Sequence, residues 1–401
     1  MRRLTLLFVL AIVVLMPVLA VAADWPLYRG PSVNGMSPET GIKKNWNQVK
    51  PSLVWKVAMG DDGFAGPSVA NKRVFIVDHK GKDDIVRAID ITTGKDVWQY
   101  VFEDAEKSNY GFCRCTPVVD KGRVYTISRM GTVNCLDAKT GKKIWSRNIC
   151  KEFNGKKPTW DYAMSALIDG NKLIVLPGGP NASVAALDKT TGKTIWQGGG
   201  SDLPGYSTPI IATIGGKRQY VAFMGTSILG VDAANGALLW SYPWKTNYDI
   251  NAAQPIVLGN NVFITSAYDH GCALLDISGG KAKPIWENKE LKARFASPIL
   301  YQDNVYGTED PGNMVCLDPK TGKVHWKQPG FEMGGLIGID GVALVFDGKS
   351  GDLVMVKLTP EKYNEMGRFT PLGGQSWTAP VVSDGKLIVR NKTALACFNL
   401  K

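Results

Sequence analysis

The stretch Ala88-Ile89-Asp90-Ile91-Thr92-Thr93-Gly94-Lys95-Asp96-Val97-Trp98 decides the fold. It returns as CLDAKTGKKIW over 135–145, ALDKTTGKTIW over 186–196, GVDAANGALLW over 230–240 and CLDPKTGKVHW over 316–326. A copy stretched by two residues spans 274–286. The tryptophans that end the copies, with Trp55 before them, are Trp55, Trp98, Trp145, Trp196, Trp240, Trp286 and Trp326. They are spaced by 43, 47, 51, 44, 46 and 40 residues, the period of a four-stranded propeller blade. Within the motif, Asp and Thr bond backbone groups of a tight turn, and Gly supplies a positive φ. The small residue two before Asp (Ala88, Cys135, Ala186, Gly230, Cys316, Cys397) leaves room for a Trp face docking from the next sheet.

Outward from the motif, each unit keeps one order of pieces. An apolar first strand carries a proline, as in Gly66-Pro67-Ser68-Val69, Thr208-Pro209-Ile210-Ile211 and Ala379-Pro380-Val381-Val382. A Gly/Asn/Asp turn and a β-branched strand such as Arg73-Val74-Phe75-Ile76-Val77 follow, then the strand ending in Asp, then the Trp strand. Short strands at regular spacing with turn signals between them mean an antiparallel all-β array. First strands begin near Phe64, Phe112, Tyr162, Tyr206, Ile250, Phe295, Gly334 and Trp377, which makes eight units. A degenerate Trp strand around 365–369 serves the seventh. The eighth has none, and the unmatched Trp strand, 53–57, is N-terminal. The expectation is an all-β, eight-bladed β-propeller of four-stranded antiparallel blades, closed where the strand around Trp55 joins the C-terminal blade. Closure removes the exposed sheet edges of an open array.

Composition agrees. The 401 residues are 44% hydrophobic and 21% charged, which excludes a disordered chain. Glycine has no period of three, which excludes collagen. Three scattered histidines, His79, His270 and His325, argue against a zinc hydrolase. The formal charge of +11 is spread through turn lysines rather than clustered, so no nucleic-acid partner is expected. Met1-Arg2-Arg3, the apolar run 4–19 and Ala20-Val21-Ala22-Ala23 read as a secretory signal peptide cut near Ala22 or Ala23. The division expected is therefore signal peptide 1–23, N-terminal extension 24–52 and propeller 53–401, exported to the periplasm or beyond. Cys135, Cys316 and Cys397 hold one repeat position, so they read as buried small residues. Cys113 and Cys115 sit two apart in a strand, on one face. An exported chain permits Cys150 to pair with one of them.

The repeated Asp-x-x-Thr-Gly-Lys-x-x-Trp resembles the tryptophan-docking repeat of the pyrroloquinoline quinone (PQQ) propeller superfamily. The opening Asp24-Trp25-Pro26-Leu27-Tyr28-Arg29-Gly30-Pro31 also looks like secreted members with this repeat. The superfamily includes quinoprotein alcohol dehydrogenases and a non-catalytic propeller lipoprotein of the outer-membrane barrel-assembly machinery. Neither pattern is complete. The dehydrogenases carry two adjacent cysteines near the cofactor, where this chain has Cys113-Arg114-Cys115, and there is no Cys-x-x-Cys-His haem motif. The lipoprotein's lipidated cysteine is also missing. No cofactor is assigned, and the resemblance leaves PQQ and calcium open.

The site expected is the channel mouth, built from loops entering the first strands. Tyr110, Arg114, Trp160, Asp161, Tyr206, Trp244, Tyr248, Asp249, Asn251, Arg294, Glu332, Gln375 and Trp377 fall there, with His79, Arg129, His270, Asp310 and Asp347 in a second loop set. Aromatics with Arg, Asp and Asn suit a planar anionic or sugar-like ligand, and Asp and Asn oxygens suit Ca²⁺. The long loop 243–251 and the insertion 151–161 stand out. The repeat leaves Trp160, Trp244 and Trp377 unexplained, while its seven motif Trp residues read as inter-blade staples. The favoured function is a non-catalytic exported scaffold that binds an envelope protein or polysaccharide. It is expected to be a monomer that touches membranes peripherally if at all. The alternatives are a PQQ-dependent dehydrogenase or a carbohydrate-active or carbohydrate-binding propeller.

Overall fold

The computed structural model describes residues 23–104 and 110–401; the expected leader, up to Ala22, lies outside them. Among the described residues, eight sheets each contain four consecutive antiparallel strands or, in one case, three strands completed from the N-terminus. Blade 1 is Ser68–Ala70, Arg73–Lys80, Asp83–Asp90 and Asp96–Glu103. Blade 8 is Val381–Ser383, Lys386–Arg390 and Ala394–Asn399, closed by Ser52–Ala58 with Trp55 opposite Cys397. The ring is thus shut by the N-terminal Trp strand, as the sequence predicts. Buried Val, Ile and Leu from facing sheets form the core between blades.

The motif works through its hydrogen bonds. Asp90 Oδ1 accepts from the Thr92 and Thr93 amides at 3.0 and 2.8 Å and from Thr93 Oγ1 at 3.0 Å. Asp137 and Asp188 repeat the pattern. Gly94 has φ of 72°, and a Cβ there would lie 2.8 Å from the Trp55 ring. Glycine is therefore required twice, by conformation and by close approach. Each motif also carries a β-bulge at the residue before Trp: Ala88 pairs Trp98 and Ile89 pairs Asp96, skipping Val97. Ile144, Ile195 and Ile285 are skipped in the same way, which turns these apolar side chains outward.

Three expectations need correction. The small residue before Asp makes room for the Trp of its own blade: a Cβ at Gly230 would lie 2.3 Å from Trp240 Nε1. The next blade meets the indole with its turn glycine and a carbonyl instead, as Trp98 Nε1 donates to Ala138 O at 3.1 Å. The first strands begin after their prolines, because proline has no N–H to give the ladder. For the same reason Cys113 and Cys115 lie in the loop before Val118–Asp120, not in a strand. All seven cysteines are free, with Cys150 Sγ against Gly155 O at 3.3 Å.

The N-terminal segment crosses the ring. Trp25 bridges Val69 of blade 1, and Pro26 O accepts from Val119 of blade 2. Arg29 Nη2 donates to Pro298 O of blade 6 at 2.6 Å, and Met36–Ser37 add a parallel fifth strand to blade 7. Farther on, Trp46 is 1% exposed and packs edge-on against Phe369.

Candidate functional site at the propeller mouth

The residue three before the first-strand proline faces the axis in six blades: Phe64, Arg114, Tyr206, Ala252, Phe295 and Trp377. With loop residues above and the N-terminal segment below, they enclose an axial cavity of about 1430 Å³. Trp25, Tyr28 and Arg29 line it, so the segment that crosses the ring also walls the cavity.

Aromatic side chains run round the mouth. Tyr110 and Trp160 lie 5.1 Å apart, Trp160 and Tyr248 6.2 Å, and Tyr248 and Tyr268 5.9 Å. Opposite, Trp377 stacks on Phe64 at 4.8 Å and tilts against Phe295 at 5.2 Å. Tyr110 and Tyr248 are more than half exposed. Tyr248 and Tyr268 hold φ of 61° and 57°, a region that bulky residues avoid. Strained tyrosines at a mouth mark a place where side-chain direction is held against local preference.

The cations of the mouth are held by neighbours. Arg294 pairs with Asp310 at 2.6 Å and lies over the Tyr268 ring, and Lys392 pairs with Asp62 at 2.8 Å. Arg114 donates to the carbonyls of Trp160, Tyr110 and Gly111. Burial, with Arg129 nearby, brings its guanidinium down to about 10. Arg29 donates to Asn34 O and Pro298 O, and burial brings it down to about 10 as well. Both stay charged at neutral pH. The Trp160 amide donates to Tyr206 Oη at 3.0 Å, which ties the 151–161 insertion to blade 4, and burial raises the Tyr206 phenol.

Of the residues expected at the mouth, Tyr110, Arg114, Trp160, Tyr206, Tyr248, Arg294, Gln375 and Trp377 line the cavity. Others do not. Trp244 is 4% exposed, with Nε1 on Ser266 Oγ and its ring against His270. Asn251 is fully buried and donates to Met224 O and Trp244 O, because it ties down the loop rather than facing the axis. Asp161 is held by Lys157 and Arg129, and Asp249 faces Thr159. Glu332 is set toward Lys349, and the Asp347 carboxylate accepts from the Lys349 and Glu332 amides. His79 and Arg129 are buried behind Phe112. Phe64, Phe112, Tyr268, Phe295 and the floor residues complete the wall without having been singled out. The shared spacing to proline was a usable signal for Phe64 and Phe295; Tyr268 carried none.

The donor set does not fit a quinone-linked calcium. Calcium takes six to eight oxygens, whereas Asp61 and Asp62 are the lining carboxylates among the described residues. Asp62 is paired with Lys392, and Asp61 accepts from the Gly81 amide at 2.7 Å. Cys113 and Cys115 are buried and face the core.

Fold and mouth together define an eight-bladed propeller with an aromatic-rimmed axial cavity. The chain belongs to the outer membrane protein assembly factor BamB family, whose model matches residues 45–112 and 82–328. It is 23% identical over 316 residues to BamB of Moranella endobia, covering 70% of this chain and 73% of that protein. It is 24% identical over 274 residues to the quinoprotein alcohol dehydrogenase PedH of Pseudomonas putida, covering 61% of this chain but 42% of that enzyme. The crystal structure of BamB from Moraxella catarrhalis superposes with a TM-score of 0.64 at 18% identity, over 87% of this chain and 99% of that one.

Proposed function

We propose that this protein is a non-catalytic scaffold of the cell envelope that takes part in outer-membrane protein assembly and holds a protein partner across its mouth. The observation that carries this reading is the aromatic rim, in which Tyr110 and Tyr248 are more than half exposed, Tyr248 and Tyr268 hold positive φ, and Trp160 packs between Tyr110 and Tyr248, above charges already engaged with one another. Half-exposed tyrosines backed by a tryptophan give large contact area at small entropic cost, as interface anchors do. Family membership points the same way. The motif tryptophans act as blade staples. Export by a cleaved leader is part of the same proposal, and no helix among the described residues is long and apolar enough to cross a membrane.

The test is photo-crosslinking from position 248 in intact envelopes, followed by identification of the adduct. One reproducible outer-membrane assembly protein supports the reading. In parallel, the purified chain is mixed with PQQ and Ca²⁺ and assayed for dye reduction with alcohols and sugars. Activity there would replace the scaffold reading with the dehydrogenase one.

A further inference from the structure

His79 and Asp84 sit directly opposite each other beside the Gly81-Lys82 turn of the blade 1 hairpin formed by Arg73–Lys80 and Asp83–Asp90. Cys113, from the loop entering blade 2, reaches the same point. His79 Nδ1 is 2.8 Å from Asp84 Oδ1, and Cys113 Sγ is 3.1 Å from that oxygen. Ligand atoms of all three lie within 4.8 Å of one another, and the residues are 1%, 1% and 3% exposed. No other group of three such side chains converges in this way among the described residues.

The second nitrogen of the ring is also committed. His79 Nε2 is 2.8 Å from Gly81 O, which accepts a ring N–H. Metal-bound histidines are oriented by this kind of bond to a backbone carbonyl. With that proton on Nε2, the neutral ring turns the Nδ1 lone pair toward a carboxylate and a sulfur. Phe112 stacks on the ring at 3.7 Å with its plane 10° off, fixing its tilt. Imidazole, thiolate and carboxylate together are a zinc donor set.

We propose that His79, Asp84 and Cys113 form a divalent metal site of zinc type, set behind the cavity wall. Uptake releases two protons, one from His79 Nδ1 and one from the Cys113 thiol, and involves no redox step. The exchange of two protons for one divalent ion leaves the local charge unchanged, so the nearby buried Arg390, which donates to Ala65 O and Val77 O, meets no added cation. The Asp78 carbonyl, 3.1 Å from Cys113 Sγ, is the next available oxygen. Gly60, Gly81 and Phe112 separate the site from the axial cavity, which gives a route for entry. The role is structural: the metal clips the blade 1 hairpin to the blade 2 entry loop, beneath the mouth.

The full chain is stripped with chelator and titrated with Zn²⁺ and with Co²⁺. The expected result is one ion per chain, a thiolate-to-cobalt charge-transfer band in the near ultraviolet, and a rise in Tm of about 3 °C in excess zinc. Cys113→Ser loses the band, and Asp84→Asn loses the zinc-dependent rise in Tm. Cys150→Ser, at a partly buried thiol elsewhere, keeps both. Should a substituted chain fail to fold, the native protein still decides: no stoichiometric uptake, no band and no zinc-dependent stabilisation would leave the triplet as an imidazolium–carboxylate pair and overturn the proposal.

Discussion

Trp46 lies over Gly367, so close that a Cβ on the glycine would stand 2.7 Å from Trp46 Cβ. Gly367 pairs with Met355 at the register position that Trp occupies in the other blades. Blade 7 has lost its motif tryptophan, and the N-terminal segment supplies one from outside. Trp46→Ala is therefore expected to destabilise the ring by about 3 kcal/mol, as a large core truncation does. Gly367→Ala is expected to destabilise as well, since its φ of 143° and the close approach of Trp46 Cβ and the Asn47 backbone both exclude a side chain. Denaturant unfolding of the two variants checks this.

The staples are not equal. Trp98 Nε1 donates to Ala138 O, whereas Trp196 Nε1 is buried without a partner and the equivalent carbonyl, Ala233 O, accepts from Lys172 Nζ. Trp98→Phe should cost about 1 kcal/mol more than Trp196→Phe. Equal losses, measured by urea denaturation, would show that the indole hydrogen bond contributes nothing.

The turn aspartates give the protein an acid limit. Backbone amide and hydroxyl bonds from Thr93, Thr140 and Thr191 hold the Asp90, Asp137 and Asp188 carboxyls below their usual range. A depressed folded value means that their contribution is present above the unfolded value near pH 4 and is lost as pH falls through the folded one. Replacing all three with Asn should lower stability at neutral pH and flatten its decline below about pH 4. Thermal unfolding across pH 2–7 reads both effects.

The mouth separates stability from binding. Tyr248→Gly removes a half-exposed ring and relaxes a positive φ, so Tm should hold or rise while partner crosslinking from a probe at position 110 is lost. Trp160→Ala should lose crosslinking too. A fall in Tm for Tyr248→Gly, with binding kept, would make the ring a packing residue.

The repeat made the architecture legible because blades 1, 2, 3 and 6 solve the same turn problem with Asp, Thr and Gly, and the others keep its spacing. Trp55 closing on Cys397 followed from counting strands. The mouth was only partly legible. Tyr110, Trp160, Tyr206, Tyr248 and Trp377 stand where loop position put them, but Trp244 and Asn251 turn inward to hold their own loop, which hydrogen bonding decides and spacing does not. Arg29 and Trp25 became cavity walls only through a chain path across the ring. His79, Asp84 and Cys113 converge through hairpin register and a loop from the next blade, and no sequence motif joins them.

Whether the mouth holds a protein partner is decided by the crosslink from position 248 in intact envelopes. One dominant adduct with an outer-membrane assembly protein is expected, lost in Trp160→Ala. No adduct, together with PQQ- and Ca²⁺-dependent dye reduction by the purified chain, would contradict it.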